Sequence, residues 1–509
     1  VVISDQGELA RLRAALVDAG YTVDGCLEVL GPLAYAALSR NETVPALRAS
    51  TGGSPRETLI RLFLLHAPVK AKVAARALPL EACLAGGLLE RDGDQVRASL
   101  AVRPYGEADA DWYVVSDLAE ALPTGPARPL GADHVPGIGG ASSTLAQLTV
   151  RPVVDSALDL GTGCGVQALH LSRHTDVVTA TDTNQRALDC AQLTFALSGV
   201  TGVRLVAGDM FQPVRDRRFD LVVSNPPFVI SPDGDLAYRD SGLPGDEVCR
   251  RLVERAPAHL APGGWCQVLA NWLHVRGQDW RERLAGWVTP TGLDAWVVQR
   301  EVQDPAEYTE LWLRDAGDVG TPRYAARYEA WSRAFEDADV EGIGFGWITL
   351  HASGAATPYA RIEEITHQLE QPLGPHVWDW FARRDLLRER DDAALLDTCF
   401  RVAPDARLEE VAVPDADAPG WVVSSRRVRL AGGLRRGGDI DPVGAEVLAA
   451  ADGSVPLSRL LDAVAAEHGI DPDSLRSGAL GAVRGLVEEG MLVPEEEKGP
   501  AAGGAGADP

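Results

Sequence analysis

The sequence predicts an α/β protein organised around a doubly wound parallel sheet, and three observations predict it. Strand-like apolar runs at 156–160, 177–181, 203–207, 221–224 and 265–270 alternate with helical stretches such as 166–172 and 185–197, the order expected of strand–helix–strand units. The first run opens into a glycine-rich turn, Gly161-Thr162-Gly163-Cys164-Gly165. The first three runs each finish at or beside an acid, Asp159, Asp182 and Asp209. In such folds ligands bind in the crevice beyond the carboxyl ends of the strands.

Composition sets the frame. A chain of 509 residues is long enough for about three domains of ordinary size. With 46% apolar and 24% charged residues it has material for real cores. No apolar run approaches the roughly 20 residues of a membrane span, and residues 1–20 lack the apolar centre of a signal peptide, so a cytoplasmic location is expected. The formal net charge of −25 repels nucleic acid at long range without forbidding a local basic groove. Seven cysteines form no C-x-x-C pair and ten histidines show no ligand spacing; neither a disulfide framework nor a metal site is expected.

Taken in order, residues 1–120 read as an N-terminal domain. Helices are expected to about residue 50, with turns at Asp24-Gly25 and Gly31-Pro32. Ser54-Pro55 can cap a helix that carries Leu59, Ile60, Leu62 and Phe63. A short helix at 80–84 breaks at Gly86-Gly87, and strand-like runs follow at 96–102 and 112–116. Helices followed by a two-stranded wing resemble a winged-helix module. Residues 121–139, rich in Pro and Gly, read as a linker.

The central domain is expected over 140–355. After the five parallel runs, two more at 295–303 and 344–351 bracket a polar helix at 322–335. They fit a late antiparallel pair at the sheet edge, for seven strands in all. Residues 356–495 form a C-terminal domain in which Trp378, Trp380 and Phe381 are expected to face a core. Strands at 421–423 and 427–430, a turn at Asp452-Gly453, and helices at 442–451, 457–468 and 474–489 make a second winged-helix-like end. It resembles the PqqD-type peptide-binding domain. The Glu-rich, then Gly/Ala-rich tail 496–509 is expected to be disordered.

The glycine turn and the acids define a candidate ligand site. Glycines let the backbone turn sharply and let a ligand approach closely. The dinucleotide pattern G-x-G-x-x-G is not met, because Val166 stands in the third glycine's place. Asp159 suits a cationic group such as an amino-acid ammonium. Asp182 lies 19 residues after Gly163 and can accept ribose hydroxyls. Asp209 followed by Met210 suits adenine, the acid taking the exocyclic amine and the thioether lying on the ring. Any one of these acids alone reads as well as a helix cap; three at successive strand ends do not.

The fourth run enters Asn225-Pro226-Pro227-Phe228. Two prolines remove two backbone donors. What remains is acceptors, the Asn225 side-chain oxygen and the Pro226 carbonyl, which can hold the protons of an –NH2 group. Phe228 can stack on a planar amide or base. Such a site works by positioning rather than by a strong base.

Asp159 to Gly165, Asp182, Gly208-Asp209 and Asn225-Pro226-Pro227-Phe228 together resemble class I S-adenosylmethionine-dependent methyltransferases, whose sheet is Rossmann-like and seven-stranded. Within that class they are similar to the HemK/PrmC group and to the small ribosomal RNA base methyltransferases. The stretch Tyr238 to Asp246, with the helix to Ala261-Pro262-Gly263-Gly264, looks like the HemK continuation. The resemblance implies S-adenosylmethionine as cofactor, bound by Asp159, Gly161, Thr162, Gly163, Gly165, Asp182, Asn184, Asp209, Met210 and Asn225. It implies Asn225, Pro226 and Phe228 as the catalytic set. HemK-type enzymes methylate a glutamine amide of release factors and usually carry Tyr where this chain has Phe228; RNA base enzymes often carry Phe.

The leading expectation is therefore N-methylation of a protein glutamine amide, with a macromolecular acceptor, protein favoured over RNA. An exocyclic amine of an RNA base is the alternative, for which Arg426, Arg427, Arg429, Arg435 and Arg436 could supply a footprint. A non-catalytic S-adenosylmethionine-binding protein and a small-molecule enzyme are weaker expectations.

Overall fold

The computed structural model describes residues 3, 5–107, 110–118, 131–232, 238–240, 242–416 and 419–495. Part of the expected linker (121–130) and the whole expected tail (496–509) lie outside the described residues. The chain divides into two compact units, residues 1–146 with 151–366, and residues 147–150 with 367–509.

The first unit holds the sheet. Its eight strands are β1 (Ala157–Leu160), β2 (Val178–Asp182), β3 (Val203–Ala207), β4 (Phe219–Ser224), β5 (Leu260–Val275), β6 (Asp294–Gln303), β7 (Val340–His351) and β8 (Ala360–Glu364). The helices between them are α1 (Val166–Leu171), α2 (Gln185–Ser198), α3 (Glu247–His259), α4 (Trp280–Val288), α5 (Pro305–Asp315) and α6 (Tyr324–Asp337). The strand order is β8-β6-β7-β5-β4-β1-β2-β3. β1 to β5 run parallel, and β7 is antiparallel to both β5 and β6.

Two expectations are corrected. The sheet has eight strands, not seven, and β8 pairs parallel with β6, so the sheet runs past residue 355. The expected antiparallel pair exists as β6 and β7, but β8 takes the edge beside it. The polar helix is found as α6, and a further helix, α5, precedes it.

Burial explains the winding. Ala157 to Leu160 are buried at every position, as a strand covered on both faces requires. Leu158, Leu160 and Val222 pack with Val248, Leu252, Leu284 and Trp287 from α3 and α4. Side chains alternate along a strand, so Asp159 faces the other way, where its carboxylate accepts the Ala168 N–H of α1 at 3.0 Å.

The N-terminal part of this unit has helices Gln6–Asp18 and Val23–Leu38, and Pro55–Leu59 running into a π turn, Ile60–Leu64. Ser54 and Glu57 form a capping box. Asp24 and Gly25 lie in the first turn of a helix capped by Thr22, not in a turn of their own, and Gly31 kinks that helix at φ 73°. Strands Val69–Lys70, Gln95–Ala98 and Leu89–Asp92 form a small antiparallel sheet. The hairpin Leu100–Glu107 and Ala110–Asp117 lies beside α2. There the Val115 N–H donates to the Thr194 hydroxyl at 2.9 Å.

In the second unit, Ala406–Pro414, Trp421–Leu430 and Gly437–Asp439 form a three-stranded sheet, and Cys399–Val402 is flanked by Asp452–Pro456 and Leu492–Pro494. Asp452 and Gly453 thus belong to a short strand rather than a free turn. Trp380 and Phe381 are buried as expected, but Trp378 is 41% exposed. Arg426 and Arg429 pair across the hairpin with Glu410 and Glu409, and Arg436 pairs with Glu489.

Candidate functional site

A cavity of about 470 Å³ opens at the carboxyl ends of β1, β2, β3 and β4, within the usual range for small-ligand sites. Its floor is the turn after β1. Gly161 and Gly163 have φ of 77° and 54°, which side chains rarely adopt. Both line the cavity, and a Cβ on either would meet no atom within 4 Å, which leaves room for close approach by a ligand. Gly165 is different. It is off the cavity wall, and a Cβ there would stand 2.9 Å from the Phe195 ring. Its constraint is packing against α2.

The acids hold this turn. Asp182 accepts the Gly163 N–H at 2.9 Å and the Asn184 N–H at 2.8 Å, one on each oxygen. Acceptor capacity is left towards the cavity it lines. Burial raises its pKa, against the pull of its N–H donors. Asn184 caps α2 by accepting the Arg186 N–H. Asp159 lies behind the turn rather than on the cavity wall. One of its oxygens accepts from Thr162 at 2.6 Å and from Ala168 at 3.0 Å, and the other has no partner among the described residues. Burial pushes its carboxyl up to about 7, with Thr162 and Ala168 pulling back in part. Thr162, Asp209 and Met210 line the cavity, and Met210 takes a left-handed φ of 44°.

The Asn225-Pro226-Pro227-Phe228 segment, here the clamp, begins at the end of β4. Leu160 and Ser224 are register partners, and the Ser224 hydroxyl donates to the Leu160 carbonyl at 2.8 Å. That bond joins the start of the glycine turn to the start of the Asn-Pro-Pro segment. Asn225, Pro226 and Pro227 line the cavity. The Asn225 side-chain oxygen is buried without a hydrogen-bond partner among the described residues. Such an acceptor costs about 1–3 kcal/mol if left unmet, and its place at the cavity leaves it open to a donor on a ligand. Phe228 is off the cavity wall; it packs half-buried between two apolar clusters.

Several lining residues lie outside the predicted set. His134, Val135, Pro136 and Gly137 form one wall, although Pro and Gly make this stretch read as a linker. It is fastened by the Asp117 carboxylate, which accepts the Val135 N–H at 2.9 Å. Burial lowers the His134 pKa, with Asp117 opposing. Val248, Arg251, Leu252 and Arg255 form another wall. Their spacing places them on one face of α3, a signal present in the sequence. Tyr238 and Asp240 complete the rim.

The residues fit S-adenosylmethionine on these observations: a glycine turn with space before it, a carboxylate at the second strand end with acceptor capacity to spare, and, at the cavity, an Asn225 oxygen with no partner among the described residues.

Comparison with known proteins agrees with this geometry. Residues 138–274 match the methyltransferase small domain. Residues 18–99 and 378–494 match two domains of unknown function, DUF7059 and DUF7782. The release factor glutamine methyltransferase of Xylella fastidiosa is 38% identical over 126 residues, which is 22% of this chain and 46% of that protein. The ribosomal RNA small subunit methyltransferase C of Alcanivorax borkumensis is 35% identical over 114 residues, 22% of this chain and 31% of that protein. The ribosomal protein uL3 glutamine methyltransferase of Bradyrhizobium diazoefficiens is 35% identical over 145 residues, 26% of this chain and 44% of that protein. The chain spans less than half the length of each of these relatives. Residues 138–274 are thus similar to the methyltransferase small domain, and they lie between two stretches similar to domains of unknown function.

Proposed function

We propose that the protein is an S-adenosylmethionine-dependent N-methyltransferase acting on the amide nitrogen of a protein glutamine. The Asn225 oxygen at the cavity, without a hydrogen-bond partner among the described residues, carries this reading. S-adenosylmethionine, when bound, supplies an electrophilic methyl group. Gly161, Thr162, Gly163, Asp182, Asn184, Asp209 and Met210 would hold it, with Asp159 fixing the turn from behind. Asn225 and the Pro226 carbonyl accept the two protons of the –NH2 group and so fix the plane of its nitrogen. Two of the relatives named above are glutamine methyltransferases, and the net charge of −25 disfavours a nucleic-acid acceptor.

A second reading, an exocyclic amine of an RNA base, is favoured by the ribosomal RNA relative. The flanking domains, 1–120 and 356–495, would select the acceptor in either case. Among the described residues no helix is long and apolar enough to cross a membrane. The proposed acceptor would place the reaction in the cytoplasm. The test is transfer of labelled methyl from S-adenosylmethionine to a purified release factor and, separately, to deproteinised ribosomal RNA. Label in the RNA alone would reverse the assignment.

A further inference from the structure

Helix α5 lies outside the matched methyltransferase region, yet it bonds to the segment after β4 and to Tyr238 at the cavity rim. Three of its residues do so from one face, at i, i+4 and i+7. The buried Tyr308 phenol oxygen accepts the Ile230 N–H at 2.9 Å and the Asn271 side-chain amide at 3.1 Å. The Trp312 carbonyl accepts from Arg239 at 2.7 Å. Asp315 accepts the Tyr238 hydroxyl at 2.9 Å. Arg239 in turn receives the Val229 N–H on its own carbonyl at 3.0 Å.

These bonds bear on the clamp. Residues 225–230 leave β4 with two prolines, which donate nothing. The segment is fastened at its start by Ser224 and at its far end by Val229 and Ile230. Tyr308 is the side chain that fixes the last of these points. It also joins that point to β5 through Asn271. Phe228, Val229 and Ile230 pack on the same apolar cluster as Tyr308, Leu313, Trp331 and Phe335, so α5 and α6 together back the segment.

We infer that Tyr308 is a positioning residue for the methyl-transfer site: its phenol oxygen sets the far end of the clamp segment and thereby the aim of Asn225. The inference rests on the assignment of Asn225 above. It assigns to α5 a role in transfer rather than in cofactor binding, because the residues of the glycine turn make none of these bonds.

The test uses the full chain with Tyr308→Phe, which keeps the ring and deletes the acceptor, and Asn271→Ala, which leaves the Ile230 bond in place. Hydrogen exchange of residues 224–231 is expected to rise by about tenfold or more in Tyr308→Phe and to stay within about threefold of wild type in Asn271→Ala. With a release factor as acceptor, kcat should fall by about thirtyfold or more in Tyr308→Phe. KM for the acceptor and the S-adenosylmethionine Kd should stay within about threefold. Unchanged exchange in Tyr308→Phe, equal loosening in both variants, or an unchanged kcat would overturn the inference. If wild type does not methylate a release factor, that sinks the substrate reading alone, and the exchange comparison decides the role of Tyr308.

Discussion

Ser224 donates its hydroxyl to the Leu160 carbonyl across 2.8 Å, between paired residues at the ends of two neighbouring strands. The residue after each enters a segment that lines the cavity, Gly161 on one side and Asn225 on the other. The paired strands, closed at their ends by this buried bond, set the distance between the glycine turn and the Asn-Pro-Pro segment. Ser224→Ala should lower stability by about 1 kcal/mol. Thermal unfolding checks this, and a shift of about 2–4 °C is the expected size for a domain this large.

Asn225→Ala removes an acceptor that meets nothing among the described residues. Methyl transfer should fall by about 100-fold or more, in line with the loss of an oriented hydrogen bond at a reacting centre. Folding should be unaffected or slightly improved, since an unmet buried acceptor is deleted. Single-turnover transfer and a melting curve on the same sample separate the two effects.

Asp159 gives a pH signature. Its pKa is pushed up to about 7 in the folded protein by burial, against about 3.9 in an unfolded chain. Between these values the folded state keeps the proton and the unfolded state has lost it. Stability is then fullest below about pH 4 for this group, falls by up to about 1.4 kcal/mol per unit as pH rises towards 7, and is flat above it. The difference in unfolding free energy between wild type and Asp159→Asn, followed across this range, should show that slope. A difference that does not vary with pH would refute the assignment.

Two glycines in one turn should fail in different ways. Gly165→Ala meets the Phe195 ring and keeps a φ of 90°, so it should cost about 1–3 kcal/mol of stability. Gly163→Ala is strained at a φ of 54° but has open space around its Cβ, so S-adenosylmethionine affinity should suffer more than packing does. Titration calorimetry beside melting curves distinguishes them.

The sheet is legible in the sequence because its central strands are buried on both faces and read as short apolar runs between helices. β8 is not, because Ala360–Glu364 is a half-exposed edge strand with two glutamates and one arginine. Helix α5 does carry a local signal: Asp304 caps it by accepting from Ala306 and Glu307, and Pro305 opens it. At the site, residues adjoining strand ends are readable from spacing. The His134 wall is not, since its place depends on Asp117, which lies 18 residues before Val135 in another element. The packing of Phe228 is equally hidden, because many of the apolar side chains that receive it come from elements far along the chain, α5 and α6 among them.

The N-terminal hairpin carries a last consequence. Asp117 at its end fixes the His134 wall through Val135 and also pairs with Arg186 of α2. The hairpin is bonded along α2 by Thr194 and Ser198. A ligand held between that wall and Asp182 would therefore draw its binding energy jointly from the N-terminal region and the methyltransferase segment. Occupancy should protect the N-terminal region against proteolysis, and excising that region should weaken occupancy. The segment matched by the methyltransferase model would in that sense not be a detachable module.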